Sequence, residues 1–157
     1  MFQVVALKAK VFAPLFGLSE DELNARHIVS DIADSKPGFP CRVSLRNAEI
    51  GERVLLLNYE HQPANSPFRA SHAIYVRDGA VTAQPAPGDV PEALAASPML
   101  SVRAFSADGM IRSAELTPGS DAGTVFDALL ARDDVVYLHA HFAKYGCFAA
   151  TIVRSER

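Results

Sequence analysis

His139 and His141 stand one residue apart in the apolar run "VVYLHAHFAKYGCFAA", where a core strand would ordinarily carry valine. On an extended strand alternate side chains share a face. Val135, Tyr137, His139 and His141 therefore point one way, and Val136, Leu138 and Ala140 point the other, towards a core. The two imidazoles lie about 6.5–7 Å apart along such a strand. Imidazole is a general acid or base near neutral pH and, when neutral, a metal ligand. Two at this spacing can converge on one transition-metal ion, which wants three or four ligands. His61, His72, Cys41, Cys147 and Glu60 are candidates for the remainder. The same pair can instead line a polar pocket, or only hydrogen-bond neighbours across a sheet.

A second constellation is "NYEHQPANSPFRASH", residues 58–72, where Pro63 and Pro67 stiffen a loop dense in hydrogen-bonding side chains. It reads either as the rim of a binding site or as a structural loop capping strand ends. Cys41 follows in "PGFPCRVSL" beside Arg42, whose guanidinium would favour the thiolate. Cys41 joins His139 and His141 as a candidate catalytic residue, although small buried thiols also serve as packing. Arg42, Arg69 and Arg103 occupy apolar segments, where an unpaired guanidinium is costly. They either pair with Glu52, Glu60 or Asp108, or hold a bound anion in bidentate fashion. The candidate ligand-binding residues are Arg42, Tyr59, Glu60, His61, Arg69, His72 and Lys144. This mixture suits a small carboxylate or phosphate better than a neutral apolar ligand.

These residues need strands and turns to position them. "FQVVAL" reads as a first strand, and Ser19 with Glu22 forms a capping box for a helix to about Arg26. Cys41–Leu45, Arg53–Tyr59 and His72–Arg77 read as further strands, the second apolar on both faces. Asp108-Gly109 marks a hairpin. "SDAGTVFDALLARDD" predicts a helix with Val125, Phe126, Leu129 and Leu130 on one stripe, capped by Ser120 or Asp121. The class is α+β, with a predominantly antiparallel or mixed curved sheet around a pocket and two or three short helices. Residues 1–157 read as a single domain, with no repeat or low-complexity linker.

Composition narrows the partners. The chain has 157 residues, 49% apolar and 21% charged, with a net charge of −3 and no block of like charge. That argues against nucleic acid or an anionic membrane as a partner, since both demand a basic face. Lys8 and Lys10 interrupt the apolar start, unlike a signal peptide, and no run approaches a membrane span of about 18 residues. The expected setting is the cytoplasm, with Cys41 and Cys147 as free thiols. The phosphate-loop, dinucleotide, zinc-protease, nucleophile-elbow and dithiol motifs are absent. The cofactor and the oligomeric state are both open.

Four segments, "PGFPCRVSLRNAEIGERVLLLNYEHQP", "SPFRASHAIYVR", "LSVRAFSADGM" and "VVYLHAHFAKYGCFAA", resemble a bacterial family catalogued as domain of unknown function 1203. The resemblance covers about two-thirds of the chain and implies a bacterial single-domain protein. It implies no activity, cofactor or catalytic residue. The residues themselves point first to binding of a small anionic metabolite in a His/Arg-lined pocket, with histidine acid–base chemistry. The alternatives are a metal-dependent enzyme using His139 and His141, and a non-catalytic interaction protein with structural histidines.

Overall fold

The computed structural model describes residues 1–156. The eight strands are β1 Phe2–Val5, β2 Val29–Ile32, β3 Arg53–Gln62, β4 Ala70–Arg77, β5 Leu100–Phe105, β6 Ile111–Thr117, β7 Tyr137–Phe142 and β8 Phe148–Arg154. The α-helices are α1 Ala9–Phe12, α2 Glu20–Ala25, α3 Glu92–Ala95 and α4 Ala122–Leu130. Two sheets form, one in the order β1-β8-β7-β5-β6 and the other β2-β3-β4. Every ladder is antiparallel, and neither sheet closes on itself. The α+β class is therefore as the sequence predicts. Among the described residues no helix is long and apolar enough to cross a membrane.

Alternation on the five-stranded sheet creates two unlike faces. Leu100, Val102 and Ala104 of β5, Leu138 and Ala140 of β7, and Ala150 and Ile152 of β8 are buried beside Phe126, Leu129 and Leu130 of α4. Phe126 is fully buried and meets Phe2 edge-on, with centroids 5.3 Å apart. This is the apolar layer that holds the sheet flat against its helix. The opposite face carries Arg103, Phe105, Tyr137, His139 and His141, through the cross-strand pairs Arg103–His139 and Phe105–Tyr137. It looks towards the smaller sheet.

That smaller sheet is apolar for most of its length and polar at one end. Leu55 and Leu57 of β3, with Ile74 and Val76 of β4, pack with Phe12, Leu23, Ile28, Cys41 and Val43. Two residues further along the same face come Tyr59 and its cross-strand partner His72, and then His61. The helix α2 that helps to cover this cluster starts as predicted. Ser19 Oγ accepts from the Glu22 N–H, and the Glu22 carboxylate accepts from the Ser19 N–H.

Three local expectations change, and one strand is new. Cys41–Leu45 is not a strand: Cys41 makes one isolated bridge to Tyr75, and Leu45 has φ +55. The turn sends Cys41 and Val43 into one apolar cluster and Leu45 into the other, so alternating hydrophobicity serves two cores rather than one sheet face. Val136 is exposed, because the strand begins only at Tyr137. The helix after Pro118 starts as a 3₁₀ turn at Gly119–Asp121 and receives no side-chain cap. Gly119 is wedged against backbone, where a Cβ would lie 2.1 Å from the Leu94 carbonyl oxygen. Finally, β2 pairs with β3, although its sequence "VSDI" is largely exposed and has no clear pattern.

Because α4 supplies the apolar cover of the five-stranded sheet, Phe126→Ala should lower stability by about 3–5 kcal/mol. Urea unfolding should show a lower midpoint at nearly unchanged slope. An unchanged midpoint would mean that the helix layer carries little of the core energy.

Candidate metal centre

Four of the five histidines in the chain, His61, His72, His139 and His141, meet between the two sheets. Local irregularities in the strands make this meeting work. The β3–β4 register shifts between Glu60 and Gln62, so His61 and Gln62 are both buried although adjacent. A bulge of this kind re-aims a side chain that regular pleating would send away. The β7–β8 register shifts between Ala140 and His141, bringing His141 opposite Phe148. The Phe148 ring lies parallel to that of His61, 5.0 Å away, and edge-on to His139 at 5.2 Å and His141 at 5.9 Å. A buried phenyl ring is thus the floor of the cluster.

Hydrogen bonding sets the tautomers. His141 Nδ1 is 2.9 Å from the Gly146 carbonyl oxygen, which can only accept, so Nδ1 carries the proton. His141 Nε2 is then a bare lone pair, and it is buried with no partner. His61 Nε2 and His72 Nδ1 face one another at 2.6 Å, one donating to the other. His61 Nδ1 and His139 Nδ1 are also buried without partners. Three orphaned imidazole nitrogens in one place are unusual, since buried polar atoms nearly always find a partner.

One ligand nitrogen from each of His61, His72 and His141 lies within 4.8 Å of the others. A tetrahedral ion with bonds of about 2.0–2.1 Å needs ligand nitrogens roughly 3.3 Å apart. The three nitrogens lie within 4.8 Å of one another, and the His61–His72 contact at 2.6 Å is shorter than the tetrahedral spacing. His139 stands beside the trio, its ring centroid 5.7 Å from that of His61.

The electrostatics keep the imidazoles neutral. Burial first, then His72 and Arg103, pushes His61 down to about 4. Burial, His61 and Arg103 push His139 to about 3. Burial likewise pushes His141 to about 3, against the opposing pull of the Gly146 carbonyl. His72, half-buried, moves down for the same two causes, burial and Arg103. Among the described residues no carboxylate acts on any of the four. Neutral imidazole is the form that binds a metal.

The other expected site residues occupy varied positions. Tyr59 faces the cluster's floor, 6.5 Å from Phe148. Glu60 points to the outer surface, where both its oxygens accept from Arg69. Arg42 is buried, donates to the Phe148 and Pro40 carbonyls, and lies over the Phe142 ring. Burial lowers its guanidinium to about 10. Cys41 is enclosed in the apolar cluster, its sulfur accepting from the Ser44 and Arg77 N–H groups. Both cysteines are free thiols, and Lys144 is exposed in the turn beside Tyr145. Arg103 is a functional candidate that sequence reasoning noticed only for its apolar setting. Its alternation in "LSVRAF", opposite Leu100, Val102 and Ala104, is the signal that puts it on the histidine face. Nothing in the sequence singles out Phe148.

Two clefts lie away from the histidines and offer less chemistry. In the polar one, Lys36 pairs with Glu49 and Glu92, Arg46 with Glu92, and Arg77 with Glu52, so its charges neutralise each other. The other, lined by Phe12, Phe16, Val43 and Val76, is apolar.

The lowered proton affinities have a consequence for folding. Below pH 6.5 the unfolded chain takes up protons on His61, His139 and His141 that the native state, with values of about 3–4, refuses. Stability should therefore be flat above pH 7 and fall as pH drops from 6.5 towards 4. Each such imidazole costs about 1.4 kcal/mol per pH unit. Urea midpoints of chelator-treated protein at pH 7.5, 6 and 5 test this, and His139→Gln should make the slope shallower. A midpoint independent of pH would contradict the burial of neutral imidazoles.

Residues 38–154 match the model of the family described as "Protein of unknown function (DUF1203)". No curated protein and no solved structure matches the chain. The match includes all four clustered histidines, Arg103 and Phe148, and it takes in six of the eight strands, since β1 and β2 lie before its start. On this match over most of its length, the chain belongs to the DUF1203 family.

Proposed function

We propose that the protein binds one divalent transition-metal ion through His61, His72 and His141. The observation that carries this reading is the state of His141. Its Nδ1–H is spent on the Gly146 carbonyl, while Nε2 is a buried lone pair without a partner among its histidine neighbours. Leaving such an atom unsatisfied costs about 1–3 kcal/mol. A metal ion removes that cost, and a backbone carbonyl on the far nitrogen is the usual support for a ligating histidine. The expected pair His139 and His141 thereby becomes one ligand with an adjacent neutral imidazole, completed by His61 and His72.

Three neutral nitrogen ligands leave a further coordination position for water or substrate. A metal so held polarises a substrate oxygen or makes bound water nucleophilic near neutral pH. The second reading is metal-free acid–base chemistry on a small anionic metabolite, and Arg103 beside the histidines favours it. Imidazoles depressed to about 3–4 are poor proton carriers near pH 7, which weighs against it. With Cys41 and Cys147 free, we infer a cytoplasmic, single-domain setting for either chemistry.

Untagged protein, purified without chelator or nickel resin, should carry about one equivalent of zinc, manganese, iron or cobalt by elemental mass spectrometry. Calorimetric zinc titration of stripped protein should show His72→Ala and His141→Ala weakened beyond the roughly 10–100-fold that outer partners carry. His139→Ala should keep the stoichiometry. His72 is half-buried, so its variant reports even where His141→Ala fails to fold. Stripped wild-type protein that takes up none of these metals would overturn the reading.

A further inference from the structure

Arg103 lies on β5 directly opposite His139, on the face that looks into the histidine cluster. Its charge is felt by all four histidines. The guanidinium is half-buried, and among the described residues it makes no ion pair and no hydrogen bond. Every other arginine that the sequence places in an apolar segment is engaged: Arg42 by carbonyls and Arg69 by Glu60. Carboxylates that might have served Arg103 are occupied elsewhere, Glu60 by Arg69 and Asp108 by Ser106 and Arg112.

The charge balance then decides what the site takes. A divalent ion on three neutral imidazoles keeps its full double charge, and Arg103 adds a third positive charge next to it. With no carboxylate of the described residues acting on the cluster, ion and guanidinium repel each other unless an anion lies between them. We propose that the site binds a small oxyanion, a carboxylate or a phosphate, which bridges the metal and Arg103. The guanidinium offers paired N–H donors in a planar fork that matches two oxygens of such a group; a further phosphate oxygen, or the second lone pair of a carboxylate oxygen, would fill the open metal position. Arg103 is thus the anion-orienting residue of the metal centre. This inference rests on the metal reading above and adds the substrate class to it.

The test uses stripped protein reloaded with cobalt(II), whose visible bands report its coordination. It is titrated with sodium acetate and, separately, with inorganic phosphate. Wild-type bands should shift saturably with at least one of the two, and that one distinguishes a carboxylate site from a phosphate site. Arg103→Gln should load cobalt with the same stoichiometry while its half-saturating anion concentration rises at least about tenfold. Arg103→Lys, a point charge without the fork, should fall between. Wild-type bands that ignore both anions would overturn the anion inference and leave the metal site standing. An Arg103→Gln protein that binds the anion as tightly as wild type would also overturn it. Failure of wild type to bind cobalt would remove the metal reading and this inference with it, a result visible before any anion is added.

Discussion

The bond from His141 Nδ1–H to the Gly146 carbonyl is the constraint on which the site depends. It fixes one tautomer in a buried ring and so determines that the free lone pair faces the other histidines rather than the turn. Gly146 can supply that carbonyl because the turn between β7 and β8 passes through φ +78 at this residue, which favours glycine. One turn therefore does two things: it reverses the strand and it orients the His141 imidazole.

Around that bond the fold separates stability from chemistry by face. The helix side of the five-stranded sheet is apolar throughout, from Leu100 to Ile152, and holds the scaffold together. The other side gives up apolar burial to His139, His141 and Arg103, which meet His61 and His72 of the smaller sheet, with Phe148 and Phe105 packed against the rings. Low effective dielectric strengthens every charge interaction there. It also makes each unpartnered nitrogen expensive.

The strand bulges are the mechanical link between these layers. Without the register shift at His61, period-two alternation would send either His61 or Gln62 outward. With it, Gln62 reaches the Tyr137 hydroxyl at 2.9 Å and ties the end of β3 to β7. That tie spans the two sheets beside the histidines and limits how far they can part.

Much of the scaffold was legible in the chain itself. The capping box at Ser19, the Asp108-Gly109 hairpin, the apolar stripe of α4 and the His139/His141 face all follow from local spacing, because each is an interaction between near neighbours. Local pattern misled where one segment serves two cores, as at Cys41–Leu45, and where a strand survives only by pairing, as at β2. By itself, then, the sequence determined the elements, the residue types of the site and the family's recognisable segments. Only the tertiary structure decided that His61 and His72 join His141, that Glu60 turns away to Arg69, and that Arg103 faces the cluster unpaired. The physical reason is that these are contacts between strands far apart in the chain. Sheet pairing and bulge position set them, and neither leaves a periodic signature in one sequence.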